Sequence, residues 1–202
     1  MSLIRLKNNA LDNLTSFEGS ASLGDMVLIS SATASASSSI EFTLGDYKEY
    51  KFFFVNLNGN TNQQSIQFTL STDNGSTYQT VAMTTTAIVA YHNEADTATS
   101  LSYTSPLTAI ADGDNTDMTL NNRLGTDADQ GGINGYMSFF NPSSNTYVKH
   151  FMARSSRVHD ADYAGDVFIA GYANTVSPIT NIKFFPSTGN VDHGKILMFG
   201  LN

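Results

Sequence analysis

The chain has 202 residues, of which 41% are hydrophobic, enough for one well-filled core. It carries a net charge of −8, only 14% charged residues against a usual value of about 25%, and no cysteine. The charge argues against a nucleic-acid partner. Without cysteine, disulfides, thiolate metal sites and cysteine nucleophiles are excluded, and scarce Glu-Lys-Leu patterning argues against a large helical domain.

Met1 to Gly24 stands apart. Leu3, Ile4, Leu6, Leu11 and Leu14 are spaced to suit neither the helical nor the strand period, so a short amphipathic helix and an irregular arm both remain open. Five large apolar side chains on a tail are expected to order against a partner, so residues 1–24 read as an anchoring arm and residues 25–202 as one folded domain. The start has no long apolar run, so neither a secretory signal nor a membrane partner is expected, and cell lysis is one way out of a bacterium.

Within the domain, Asp25 to Ser30 reads as a strand, Ser31 to Ser39 as a polar linker or edge, and Ser39 to Leu44 as a strand with Ile40, Phe42 and Leu44 inward. Then comes DYKEYKFFFVNL. Tyr50, Phe52 and Phe54 share one face, and Phe53, Val55 and Leu57 the other, a pattern for the middle of a packed sheet. Ile66, Phe68 and Leu70 alternate with Gln67 and Thr69, as in a strand with one dry face. Asp73, Asn74 and Gly75 suit a turn at positive φ, after which Tyr78, Thr80 and Ala82 are expected to run back as a strand. Thr84 to Tyr91 is rich in β-branched residues and should be another. Residues 92–132 predict long loops with two or three short strands, the usual place for binding. Ile133 to Asn141 and Tyr147 to Arg154 predict a hairpin around PSSNT, and Val167 to Ala173 a strand in which Gly171 marks a bulge or a close backbone approach. Ile182 to Phe185 and Lys195 to Leu201 predict a closing hairpin. About ten strands of ordinary length give an all-β fold, a single β-sandwich of jelly-roll type, with a closed barrel as the alternative.

Several clusters carry candidate chemistry. His92, Glu94 and Asp96 follow a strand. In extended chain they would share a face and suit a metal, an acid–base pair or a sugar hydroxyl; the plainer alternative is a solvated strand end bonded to its own loop. With Tyr91 they form the candidate receptor or partner contact. Asp112, Asp114, Asn115 and Asp117 resemble a calcium loop, but Asp117 stands where an EF-hand needs Gly and Arg123 where it needs Glu; Asp127 and Asp129 give weaker support of the same kind. His159, Asp160 and Asp162, and Asp192 with His193, are short acid–imidazole runs in expected turns. Tyr91, Tyr103, Tyr163 and Tyr172 offer faces for a sugar ring, or else simply pack. No nucleophile elbow, zinc-protease motif or phosphate-cradling glycine loop occurs. No catalytic, cofactor-binding or metal residue is assigned, and no enzyme is expected.

The runs ISSATASASSSIEFT, DYKEYKFFFVNL, FTLSTDNGSTY, YHNEADTATSLSY, GYMSFFNPSSNTYVKHF and NIKFFPSTGNVDHGKILMFGL, covering residues 26–202, resemble a module of structural proteins from tailed bacteriophages, especially those of marine bacteria and cyanobacteria. The matched pieces are turns and core strands. The resemblance implies a non-enzymatic virion protein that leaves its host by lysis. It would be an exposed tail fibre or adhesin, acting as a homotrimer among other virion proteins and touching a host-surface glycan. Capsid decoration and a stand-alone carbohydrate-binding module are the alternatives.

Overall fold

The computed structural model describes residues 26–103, 117–121, 123–126 and 132–202. The arm residues Leu3, Ile4, Leu6, Leu11 and Leu14, and Asp112, Asp114, Asn115, Asp127 and Asp129, lie outside the described residues.

The described residues form strands and no helix: β1 Val27–Thr33, β2 Ile40–Thr43, β3 Glu49–Gly59, β4 Ile66–Ser71, β5 Met83–Asn93, β6 Thr99–Tyr103, β7 Met118–Thr119, β8 Ile133–Phe140, β9 Lys149–His159, β10 Tyr163–Ala173, β11 Asn181–Pro186 and β12 Val191–Leu201. They pair into two antiparallel sheets packed face to face, a β-sandwich. The large sheet runs β1-β12-β3-β8-β9-β10-β5-β6 and the small one β2-β11-β4-β7.

Alternation explains the core. Phe42, Phe68 and Phe184 point inward from the small sheet, and Tyr50, Phe52, Phe54 and Phe151 from the large one; all are buried. Phe184 sits at the centre, its ring 5.2 Å from Phe52, 5.5 Å from Phe54, 6.2 Å from Phe42 and 6.3 Å from Phe68. Phe68 meets Phe151 edge-on at 5.2 Å. Such ring pairs contribute about 0.5–1.5 kcal/mol each beyond the area they bury, so the two sheets are held in one relative position.

Four expectations need correction or sharpening. Leu57 turns into the core instead of joining Phe53 and Val55 outside, because Asn56 takes φ 48° and the register shifts between Phe54 and Leu57. Tyr78 to Ala82 is not a strand. Gln79 has φ 61°, its N–H bonds Thr69 Oγ1, Tyr78 bonds Glu41, and Lys183 caps the Tyr78 ring at 3.9 Å. Glu41, Lys183 and Thr69 lie in one cross-strand row, so this segment straps the outer face of the small sheet. The closing hairpin is absent: β11 pairs with β2 and β4, whereas β12 pairs with β1 and β3 in the other sheet. At Gly171 the register is unbroken, and a Cβ there would stand 2.5 Å from the Thr84 carbonyl oxygen, so a close approach and not a bulge requires the glycine.

The large sheet has four strands more than the small one, whose edge strand β7 is only two residues long. Beyond that edge, the inner faces of β9, β10, β5 and β6 carry polar and aromatic side chains.

Candidate functional site

The site is built by register. One row across the large sheet reads Tyr91–Gly165–Arg157, and the next reads Asn93–Tyr163–His159. Period-two alternation puts all of these on the core-facing side, in line with the buried Val89, Val167 and Ser155 of the preceding row. Gly165 lies between Tyr91 and Arg157 and opens room for the guanidinium. A Cβ there would stand 3.0 Å from Arg157 Nε and 3.2 Å from its Cζ. Around this gap lies a cavity of about 350 Å³, lined chiefly by Tyr91, Ser102, Arg123, Arg157, His159 and Tyr163. The rings are locked edge to face, Tyr91 to Tyr163 at 5.2 Å and His159 to Tyr163 at 5.3 Å.

The β9–β10 turn closes one side. Asp162 takes φ 59° and donates its N–H to the His159 carbonyl at 3.0 Å. The segment after β7 is tied to it: Leu124 bridges Gln64 and His159, and Arg123 donates Nε and Nη2 to the two oxygens of Asp160, each at 3.1 Å. Burial would raise the Asp160 carboxyl. The Arg123 hydrogen bond, the neighbouring His159 and Arg123 charges and a hydrogen bond from Gln63 together outweigh it and hold the group below the usual carboxylate range.

Burial pushes the His159 imidazole down, and the cations Arg157 and Arg123 add to that against Asp160. The ring is therefore neutral at neutral pH. Its Nδ1 lies 3.1 Å from the Ala161 N–H. Asp160 Oδ1 is 2.8 Å from the same Nδ1, a contact that becomes an ion pair only when the ring is protonated there.

Arg157 is 4% exposed. Its Nε and Nη1 are buried with no hydrogen-bond partner among the described residues. Burial, reinforced by Arg123 and opposed by Asp160, lowers the group to about 10, so it stays cationic at pH 7.

Of the residues singled out by sequence, Tyr91, Tyr163 and His159 meet in this cavity, with Asp160 behind them. His92 does not join Tyr91, because adjacent strand residues face opposite ways; it lies on the outer face, exposed. The chain leaves the strand after Asn93, and Asp96 takes φ 54°, so His92, Glu94 and Asp96 do not share an extended face. Instead His92 Nε2 contacts Asp96 Oδ1 at 2.9 Å, and the Glu94 N–H bonds the Asp162 carbonyl. Among the described residues no group of three or more His, Asp or Glu is placed to hold a metal. Asp117 bonds Gln79, and Asp192 lies 3.5 Å from His193. Tyr103 is exposed on edge strand β6, and Tyr172 faces His150 at 6.0 Å on the outer side of the large sheet.

Arg157 and Arg123 were not singled out for this site by the sequence. A signal for Arg157 was there: Phe151, Ala153 and Ser155 alternate inward, and two more residues along the same strand put an arginine on the inner face.

Chemically the cavity offers a buried cation, a neutral imidazole, two phenol rings and a hydroxyl. Both oxygens of Asp160 are engaged by Arg123, which makes it a poor general base. No family model, curated protein or solved structure matches this chain.

Proposed function

We propose that this chain is a non-enzymatic structural protein of a tailed-phage particle, an exposed appendage of the tail-fibre or adhesin kind that holds a host-surface glycan. The observation that carries the glycan reading is the pair of tyrosine rings, Tyr91 and Tyr163, fixed 5.2 Å apart in the wall of a cavity of about 350 Å³. Pockets for small molecules start at roughly 300 Å³, and a tyrosine offers a sugar both an apolar face and a polar tip. The strands on either side pair over their whole length, so the rings stand on a rigid frame.

The particle role draws on the resemblance in strands and turns, and on the low-charge surface. Ile88, Leu101, Tyr103, Tyr136 and Met152 are exposed on the outer face of the large sheet, apolar surface that a homotrimer would bury.

The glycan reading is tested on a glycan array with the purified chain and its Tyr91→Ala and Tyr163→Ala variants. Binding by the native chain that both variants lose is the expected result; binding that survives both changes refutes the site. The particle role is tested by deleting residues 1–24, which should leave a folded domain that no longer enters particles. Density for the protein at the tail end supports the adhesin reading, and density on the capsid face replaces it with decoration.

A further inference from the structure

We infer that this cavity is an oxyanion site, built to seat the carboxylate of an acidic saccharide, such as a uronate, on Arg157. The inference rests on the glycan reading above and adds the class of sugar.

The argument begins with an unused donor set. A cation enclosed by protein is normally matched by a carboxylate or by hydrogen bonds to its nitrogens. Arg157 is enclosed, and its Nε and Nη1 have neither among the described residues. The carboxylate that acts on it among the described residues, Asp160, gives both oxygens to Arg123 and does not line the cavity. No described residue lining the cavity is acidic. What faces the space is Arg157, Arg123, the imidazole of His159, the hydroxyl of Ser102 and the two phenols, a set rich in donors.

The position of the guanidinium is also fixed. Gly165, directly opposite on β10, leaves the gap it occupies, and a Cβ would crowd it at 3.0 Å. A planar guanidinium with free N–H groups matches a carboxylate in shape as well as charge. Tyr91 and Tyr163 stand beside it, so a sugar ring can lie on an aromatic face while its acid reaches the arginine. The chain's net charge of −8 does not oppose this, because distant surface charges are screened beyond about 8 Å at physiological salt.

The test is titration of the full chain with trigalacturonate and with neutral galactotriose, followed by calorimetry and by the side-chain Nε–H resonance of Arg157. The acidic sugar should bind at least tenfold more tightly and shift that resonance. Charge-assisted hydrogen bonds of this kind set the expected loss in Arg157→Gln at about 10- to 100-fold for the acidic sugar, with the neutral one unchanged. If that variant does not fold, the native resonance alone decides. An Arg157 resonance unmoved by saturating glucuronate overturns the inference. Equal binding of both trisaccharides overturns it too, while leaving the glycan reading standing. Glucuronate or inorganic sulfate moving the resonance, with no trisaccharide bound, keeps the oxyanion site and removes the glycan reading.

Discussion

Replacing Arg157 by methionine should make the protein more stable. Burial lowers this guanidinium from its ordinary value to about 10. At 1.36 kcal/mol per decade, that corresponds to about 3 kcal/mol lost to holding the charge inside at neutral pH. Methionine keeps most of the aliphatic stem and needs no hydrogen bond. It leaves some space where the guanidinium lay, which returns about 1 kcal/mol of the gain. The net expectation is about 2 kcal/mol of added stability, a rise in melting temperature of about 4–8 °C for a chain of this size. Thermal and urea unfolding of the two proteins, side by side in low-salt phosphate-free buffer at pH 7, measures it. A variant that melts at or below the native temperature would refute the reasoning, since Arg157 would then have to be satisfied by partners that compensate its burial. The same change should weaken binding of acidic sugar at least as much as Arg157→Gln does, so stability and binding move in opposite directions, as is common where a site keeps an unsatisfied group for its ligand.

Other consequences of the fold are equally open to measurement. Phe184→Ala removes the ring that four others meet and should lower stability by about 3–5 kcal/mol, read from the urea midpoint; a loss under 1 kcal/mol would mean that the two sheets do not depend on this contact. Gly171→Ala drives a Cβ against the Thr84 carbonyl and should cost about 1–3 kcal/mol, with weakened β5–β10 amide protection in hydrogen exchange. Acid should act in two stages. His159 is held neutral in the fold by burial and by Arg157 and Arg123, with Asp160 opposing, so its folded value lies below the unfolded 6.5. The unfolded chain therefore binds the extra proton first, and stability falls as pH drops below about 6.5. His159→Gln should flatten that stage. A second loss should follow below pH 3.8, where Asp73, held at about 2 by hydrogen bonds from Thr77 and Ser71, and Asp160 and Asp166, also held low, take up protons. An urea midpoint that stays level from pH 7 to 5 in the native protein would contradict the first stage.

Most of the sandwich could be read from side-chain alternation, because a strand with one dry face writes its own period into the sequence. Ile66, Phe68 and Leu70 sit inward as their spacing requires, and Asn74 and Gly75 take the positive φ their turn needed. Sheet membership could not be read this way. Alternation says which side of a strand is dry but not which strand lies beside it, so the chain's crossing between layers after Pro186 looked like a hairpin. Leu57 was misplaced for a related reason: one residue at positive φ reverses every side after it, and Asn56 gives only weak notice of this. The site was half legible. Tyr91, Tyr163 and His159 were visible as residue types worth attention, but the row that joins them through Gly165 to Arg157 exists only once three strands are in register. His92, Glu94 and Asp96 were grouped by proximity in sequence, and the turn at Asp96 undid the grouping.

Val27 faces Gly200 across β1 and β12, so the first and last strands of the fold begin and finish at one corner. Tension applied between those two points would not load all the rungs of the ladder together. It would open them singly, like a zip, starting at that corner and releasing β1, which pairs with β12 alone among the described residues. The cavity under Tyr91 lies on β5, β9 and β10, at least two strands away in the sheet from β12, whereas the Phe184 cluster borders the pulled strands through β2, β3 and β11. A tug on this module would then cost it one fringe strand while its grip stayed closed.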